Sequence, residues 1–307
     1  MSGVRIKIGE EKFRVLRESS STYVDKTGMI EDFLCDEPAD VSLITRPRRF
    51  GKTLMMTTLR DFFDITQDSR AIFDGLAISK NKALCGKWMN QYPVIFLTLK
   101  EINAQDFSHA FEQVRTLVRS TAIPYSYLLE SDKVDESDKN IIQEFKDSKS
   151  SRSELEAFLR TLCRALYAHW GRPAIVLIDE YDVPLARAQE NGYYRDMVNF
   201  IRNILGAALK TNEYLQFGIL TGCLRVSKES IFTGLNNFAC YGISDFDFAD
   251  KFGFTTEEVD DLLSAAGFSE KKDAIKEWYD GYRFGDDTEI YCPWDILHYL
   301  KTLKKRP

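Results

Sequence analysis

Four short apolar runs, separated by stretches with helical spacing, constrain the fold of this 307-residue chain more than any other feature. The runs are predicted strands at residues 41–45, 93–99, 174–178 and 215–220, with a candidate fifth strand at 239–243. The run at 174–178 is apolar throughout, which is typical of a parallel strand covered by helices on both faces. Alternation of such strands with helices predicts an α/β fold with a mainly parallel central sheet flanked by helices.

The last part of the chain has a different pattern. Thr255 and Glu258 have the spacing of a capping box before a helix that reaches residue 263, and further helices are predicted at 272–279 and 294–300. We therefore divide the chain into a domain over residues 1–244 and a small helical, winged-helix-like C-terminal lid over residues 245–307. The chain stops just after the last predicted helix, which is compatible with truncation of a longer protein.

Composition argues against several classes of protein. The net charge of -6 counts against a stand-alone nucleic-acid-binding module, because such modules are usually basic. No apolar run reaches the roughly 18 residues of a membrane span, and the N-terminus lacks the apolar core of a secretory signal. The six cysteines form no C-x-x-C pair, and the three histidines are widely separated. We expect a cytoplasmic protein with reduced thiols, no zinc site and no membrane partner.

The segment ITRPRRFGKT, residues 44–53, joins the first predicted strand to a helix that starts at Lys52 or Thr53. In a P-loop, backbone N–H groups and a helix N-terminus bind phosphates, lysine reaches the outer phosphates and the Ser/Thr hydroxyl binds Mg²⁺. Gly51, Lys52 and Thr53 match those roles. Arg46 stands where the full motif has its first glycine. The alternative is a helix N-terminus with a surface lysine.

The segment AIVLIDEYD, residues 174–182, has the pattern of a Walker B strand, with the core of that motif at 175–180. Ligands of open α/β sheets bind beyond the carboxyl ends of the strands, where Asp179 stands. We expect Asp179 to hold Mg²⁺ through water and Glu180 to act as general base on the attacking water. The alternative is a strand that ends at a turn with two solvated acids.

A further polar cluster follows the predicted strand at 215–220. If that strand lies between the P-loop strand and the Walker B strand, Thr221 lies beside the outer phosphate. Arg225 is a candidate for stabilising transition-state charge, and a plain surface arginine is the alternative. Arg48 and Arg49 present a similar choice, since they either attract the anion or pair with nearby acids.

Taken together, these blocks resemble the AAA-ATPase-like family of bacterial proteins, a P-loop group in the STAND or archaeal-ATPase-like branch. The resemblance covers nearly the whole chain. It is carried by segments at 23–27 (YVDKT), 45–53, 92–99, 176–185, 220–238, 253–259, 278–285 and 291–300. The family pattern itself reads Arg-Pro-Arg-Arg-Phe-Gly-Lys-Ser/Thr, so Arg46 in place of glycine is a family trait. The resemblance implies a P-loop NTPase fold.

The resemblance also implies roles for individual residues. Gly51, Lys52 and Thr53 would contact the nucleotide phosphates, Thr53 and Asp179 would hold Mg²⁺, and Glu180 would be catalytic. The full set of candidate nucleotide contacts is Tyr23, Asp25, Arg48, Arg49, Phe50, Gly51, Lys52, Thr53 and Leu54, and the candidate catalytic residues are Lys52, Glu180, Thr221 and Arg225.

The YVDKT segment has two interpretations. Tyr23 could stack on adenine with Asp25 nearby, or Asp25 could be the N-cap of the helix that reaches Leu34. Many relatives continue into a region similar to PD-(D/E)XK nucleases, and no such motif is found in this chain.

The function expected from these observations is that of a Mg²⁺-dependent ATPase acting as a molecular switch, with ATP and Mg²⁺ as cofactors. Two alternatives remain open: a nucleotide-binding interaction module that does not hydrolyse, and the ATPase part of a nuclease-linked, nucleic-acid-processing protein. The candidate partners are a nucleotide, a second copy of the chain, and nucleic acid through a missing C-terminal region. The choice between ATP and GTP stays open.

Overall fold

A computed structural model of the chain describes residues 4–34, 39–224, 231–232, 237–279 and 281–305. Within this part of the chain, five parallel strands form the central sheet in the order β2-β3-β4-β1-β5. The strands are β1 Val41–Thr45, β2 Val94–Thr98, β3 Ala174–Asp179, β4 Leu215–Gly222 and β5 Phe238–Tyr241. The predicted α/β fold with a parallel central sheet is therefore confirmed.

Helices cover both faces of this sheet. They are α1 Phe13–Glu18, α2 Met29–Leu34, α3 Lys52–Phe63, α4 Arg70–Phe73, α5 Lys82–Trp88, α6 Phe107–Ala122, α7 Glu136–Asp147, α8 Arg152–Trp170, α9 Val183–Glu190 and α10 Tyr194–Leu209. Short 3-10 helices lie at Ala77–Lys80 and Ile123–Glu130. The helices α6 and α10 each bury a continuous apolar stripe against the sheet.

The apolar runs explain why the strands are central. In β3, Val176 and Ile178 join the core on the face of α6, α8 and α10, while Ile175 and Leu177 join the core on the face of α3. Successive side chains of a strand point to opposite faces, so a strand packed on both sides must be apolar at every position.

The C-terminal segment adds a second, antiparallel sheet with the order β6-β8-β7. Its elements are β6 Phe254–Thr255, α11 Thr256–Ala266, a 3-10 helix Ser269–Lys271, α12 Lys272–Tyr279, β7 Tyr282–Phe284, β8 Thr288–Tyr291 and α13 Pro293–Lys305. The predicted capping box of Thr255 and Glu258 is present at the start of α11. This segment packs against the P-loop side of the main sheet, since Phe284 and Ile290 share a core with Phe50.

Candidate nucleotide-binding site

The loop between β1 and α3 has a tight turn that ends at Gly51. Gly51 adopts φ +85° as the N-cap of α3, a left-handed conformation that glycine accepts without strain. Arg49 has φ +112°, which is uncommon for a residue with a side chain. The helix starts at Lys52, so the N–H groups of its first turn point into the loop. This is the local geometry that binds anions.

Lys52 is buried, with 6% of its surface exposed, and its ammonium group bends back across the loop. Its Nζ donates to the carbonyl oxygens of Arg46 and Pro47, both at 3.0 Å, and lies 3.3 Å from the Cys223 sulfur. The contact with Cys223 places the ammonium beside the end of β4. Lys52 thus lies at the carboxyl edge of the sheet, not on the outer surface as a plain surface lysine would.

Asp179 connects β3 to β4 and to the start of α3 at this edge. It is fully buried at the end of β3. Its Oδ2 accepts a hydrogen bond from the Thr53 hydroxyl at 2.7 Å, and its Oδ1 accepts one from the Thr221 hydroxyl at 2.5 Å. The sheet order places β4 between β1 and β3, which is why Thr221 reaches Asp179. The structure therefore brings together Thr53, Asp179 and Thr221, which are far apart in sequence.

Glu180 follows β3 directly and lines the same site. Its φ of +55° is left-handed, a conformation that costs a non-glycine residue of order 1 kcal/mol. Burial raises the pKa of Glu180, the neighbouring Asp179 raises it further, and Lys52 and Lys100 oppose the shift. Lys100, which lies two residues after β2, also pairs with Glu11 at 3.3 Å. The sequence analysis did not single out Lys100, because no local pattern relates it to Glu180.

Asp182 is a second residue that sequence reasoning missed. It is 4% exposed and accepts hydrogen bonds from the backbone N–H groups of Cys223 at 2.9 Å and Leu224 at 2.8 Å. A Cβ on Gly222 would lie 2.7 Å from the Asp182 Oδ1 atom, so glycine is required there. The carboxylate thereby anchors the turn after β4 to the turn after β3. The signal in the sequence was the third acid of the segment DEYD, residues 179–182.

Arg46 is fully buried and takes no part in the cavity wall of the described residues. Its guanidinium donates hydrogen bonds to the carbonyl oxygens of Thr45, Tyr241, Gly242 and Phe248 at 2.8 to 2.9 Å. Arg46 therefore does not contribute to a basic surface for nucleic acid, because a side chain without solvent contact cannot bind a phosphate backbone.

A cavity of about 460 Å³ opens in front of the P-loop. Its volume lies within the range of small-molecule sites, roughly 300 to 1,000 Å³. The predicted residues that line it are Tyr23, Arg48, Arg49, Phe50, Gly51, Lys52, Thr53, Leu54 and Glu180. Asp179 and Thr221 are buried behind Thr53. The cavity is completed by residues of the N-terminal segment and of the C-terminal segment.

Phe50, Asp25 and Arg225 differ from the other predicted site residues. Phe50 is 2% exposed, and its ring packs edge-on against Tyr282 at 4.8 Å, so its side chain anchors the loop to the C-terminal segment. Asp25, although described, is not part of the cavity wall. Its carboxylate accepts hydrogen bonds from Thr27 and from the backbone N–H of Ala77, and α2 begins only at Met29. Asp25 therefore organises the turn before α2. Arg225 lies outside the described residues.

Tyr23 lines the cavity and is half-buried. Its ring lies edge-on to Phe13, with centroids 5.4 Å apart. Burial raises the pKa of its hydroxyl, with the Asp25 carboxylate adding to the shift, so the phenol stays neutral at physiological pH. A neutral aromatic ring at this position can contact a base but contributes no charge.

The oxygen atoms at the sheet edge suit a hard divalent cation. Mg²⁺ is bound by carboxylate and hydroxyl oxygens together with water and phosphate. The Thr53 hydroxyl and the Asp179 carboxylate, 2.7 Å apart, supply one oxygen ligand each or a water-mediated contact. The donor set therefore fits the predicted ion.

No helix among the described residues is long and apolar enough to cross a membrane.

A protein of Azotobacter chroococcum mcd 1 with the name "Uncharacterized protein in vnfD 5'region" is 26% identical over 312 residues. That alignment covers 100% of this chain and 54% of the relative, so this chain spans about half the relative's length. A family model described as a predicted AAA-ATPase matches residues 7–232. Because the match covers more than half of the sequence and includes the P-loop and the Walker B strand, the chain belongs to the predicted AAA-ATPase family.

Proposed function

We propose that the protein binds ATP in the cavity before Gly51 and hydrolyses it with the help of Mg²⁺, as a molecular switch. The observation that carries the proposal is the convergence of Lys52, Thr53 and Asp179 at one edge of the sheet, joined by the 2.7 Å contact between Thr53 and Asp179. Membership of the predicted AAA-ATPase family supports nucleotide binding.

In the proposed mechanism, each group has a separate task. The N–H groups at the start of α3 and the Lys52 ammonium bind the phosphates, and Lys52 exchanges its two carbonyl partners for phosphate oxygens. Thr53 and Asp179 would hold Mg²⁺, and the ion would supply positive charge to the outer phosphates. Thr221 holds the Asp179 carboxylate in place.

Glu180 is the proposed general base. Its carboxylate lines the cavity and orients a water molecule towards the outer phosphate. The raised pKa of Glu180 brings its basicity closer to neutral pH, where a carboxylate accepts a proton more effectively. The left-handed backbone of Glu180 is an outlier of the kind that functional sites retain.

Two substitutions test the proposal. Lys52→Ala should abolish ATP binding, because the phosphates lose their cation. Glu180→Gln should bind ATP as the parent does but release phosphate at least about 100-fold more slowly, the usual contribution of a general base. The measurements are calorimetric titration with ATP and phosphate release with and without Mg²⁺. Hydrolysis by Glu180→Gln at the parental rate would show that the base is wrongly assigned.

A non-hydrolysing nucleotide-binding module is the second candidate. It is favoured by the observation that Lys52 is already engaged by two carbonyl oxygens and that Arg46 replaces the first P-loop glycine. This candidate requires stabilisation of the fold by ATP with Mg²⁺ through mass action and no phosphate release at any protein concentration. The same phosphate-release assay separates the two candidates.

The proposed switch also needs a macromolecular partner on which it acts. The switch would act on a second copy of the chain or on nucleic acid. Salt-dependent DNA binding would support a nucleic-acid-processing role. A hydrolysis rate per protein molecule that rises with protein concentration would support an oligomer in which an arginine acts on the neighbouring site.

A further inference from the structure

The cavity before the P-loop is lined by apolar side chains as well as by the candidate phosphate-binding groups, and we call this apolar part of the lining the apolar compartment. It includes Tyr23 and Leu54, which lie within the part of the chain matched by the family model. It also includes Leu262, Trp294 and Leu297, which lie after residue 232 and outside that match. The C-terminal segment therefore closes a site whose phosphate end belongs to the central sheet.

Trp294 provides the largest flat surface in this compartment. It is the second residue of α13 and is half-buried, so part of its indole ring faces the cavity. The Arg49 guanidinium lies 4.8 Å from the centroid of the ring. Gly9 lies next to the ring edge, since a Cβ at this position would be 3.5 Å from the Trp294 Cζ3 atom.

Arg49 links the two ends of the cavity. It lies on the P-loop two residues before Gly51, it is exposed, and among the described residues no carboxylate lies within ion-pair distance of it. Its guanidinium instead rests on Trp294. A cation that is held only by an aromatic ring is free to turn to a phosphate, since the ring interaction contributes only about 0.5–2 kcal/mol. Its departure would uncover the Trp294 ring beside the phosphate-binding loop.

We propose that Trp294 binds the base of a purine nucleoside triphosphate by stacking, so that α13 completes the nucleotide site of this protein. The inference rests on the proposed function, because the same molecule must place its phosphates at Gly51, Lys52 and Thr53. A bicyclic purine overlaps an indole ring over a larger area than a pyrimidine does, and stacking follows the shared area.

The test compares ATP with inorganic tripolyphosphate, which has phosphates and no base. Trp294→Ala should weaken ATP binding about 5- to 150-fold, the range that loss of base–aromatic stacking produces, and leave tripolyphosphate binding unchanged. Trp294→Phe should fall between the parent and Trp294→Ala. The control is Trp278→Ala, because Trp278 is 76% exposed on α12 and does not line the cavity; this variant should bind both ligands as the parent does.

A fluorescence measurement covers the case in which Trp294→Ala does not fold. The emission of Trp294 is the difference between the spectra of the parent and of Trp294→Phe. ATP should change this difference spectrum, and tripolyphosphate should change it much less. CTP and UTP should bind more weakly than ATP or GTP.

The outcomes separate this inference from the proposed function. If neither ATP nor tripolyphosphate binds the parent, the proposed function fails. If tripolyphosphate binds the parent but Trp294→Ala retains parental ATP affinity, only the role of Trp294 is overturned. Equal weakening of ATP and tripolyphosphate by Trp294→Ala would also overturn it, since that result points to a disturbed P-loop. Equal affinity for CTP and ATP would overturn the preference for a purine.

Discussion

Arg46 is a buried cation that forms no ion pair with a carboxylate among the residues that the structure describes. Its guanidinium is fully buried, is bound by four carbonyl oxygens, and lies 5.1 Å and 5.3 Å from the ring centroids of Phe252 and Phe284. Burial lowers the pKa of Arg46 to about 10, so the group remains a cation at physiological pH. Its two terminal nitrogens bind the end of β1, the end of β5 and residues after β5, so a single side chain fastens these segments to the loop that carries it.

Removal of this cation should be costly. Arg46→Ala leaves buried carbonyl oxygens without donors, so we expect the free energy of unfolding to fall by about 3 kcal/mol or more. Arg46→Lys should rescue little of the loss, because an ammonium group cannot reach the same spread of acceptors. Urea unfolding monitored by circular dichroism measures the effect. Arg48→Ala is the control, since Arg48 is exposed two residues away and should change stability by less than about 0.5 kcal/mol.

At the scale of single elements, the start of α11 shows how a local motif acquires a long-range role. The side chain of Glu258 accepts a hydrogen bond from the Thr255 backbone N–H at 2.9 Å, which completes the capping box. The same carboxylate pairs with Lys26 at 2.6 Å. Lys26 also donates to the Asp250 carbonyl oxygen at 2.6 Å. The capping box therefore fastens the YVDKT segment to the C-terminal segment.

Glu258→Ala removes both contacts. We expect a loss of about 1–2 kcal/mol in unfolding free energy, somewhat more than a helix cap alone contributes. Glu258→Gln should keep most of the cap and lose the ion pair, and should therefore lie between the parent and Glu258→Ala. Thermal unfolding provides the readout. Glu257→Ala on the exposed side of the same turn is the matched control, and a loss in this control as large as that of Glu258→Ala would contradict the assignment.

At the scale of the whole molecule, the C-terminal segment shares a core with the main sheet. Phe248 stacks on Phe33 with centroids 4.5 Å apart, and Phe50 contacts Tyr282 and Phe284 at 4.8 Å and 5.5 Å. The boundary proposed between residues 244 and 245 therefore crosses a packed interior. Large aromatic side chains on both sides of the boundary would be exposed if the two parts were separated.

A fragment of residues 1–244 should consequently fail to form a stable domain. The loss of partners for Arg46, Phe33 and Phe50 exposes apolar surface and leaves a buried charge unsatisfied. We expect a broad, non-cooperative thermal transition and no ATP binding, compared with the full chain as control. A fragment that unfolds cooperatively with the melting temperature of the full chain would show that the two parts are independent domains.

The local patterns of the sequence were enough to determine the elements and the position of the P-loop. Apolar runs specified β1 to β4 to within two residues at each end, because a strand that is buried on both faces must be apolar throughout. The strand-turn-helix arrangement around Gly51 also follows from neighbouring residues alone. The strand that leads to Thr221 was considered as the one between the P-loop strand and the Walker B strand. The sheet order β3-β4-β1 places it there.

Tertiary structure alone decided which distant residues meet. Arg46 binds the carbonyl oxygen of Phe248, Asp182 anchors Cys223, and Trp294 lies beside Arg49, although each pair is separated by at least 41 residues. Helical and strand periodicities describe the faces of single elements, and they carry no information about which faces come together. The C-terminal segment packs on the P-loop through its aromatic side chains, a contact that only the folded chain creates. This packing brings residues of the C-terminal segment into the lining of the cavity.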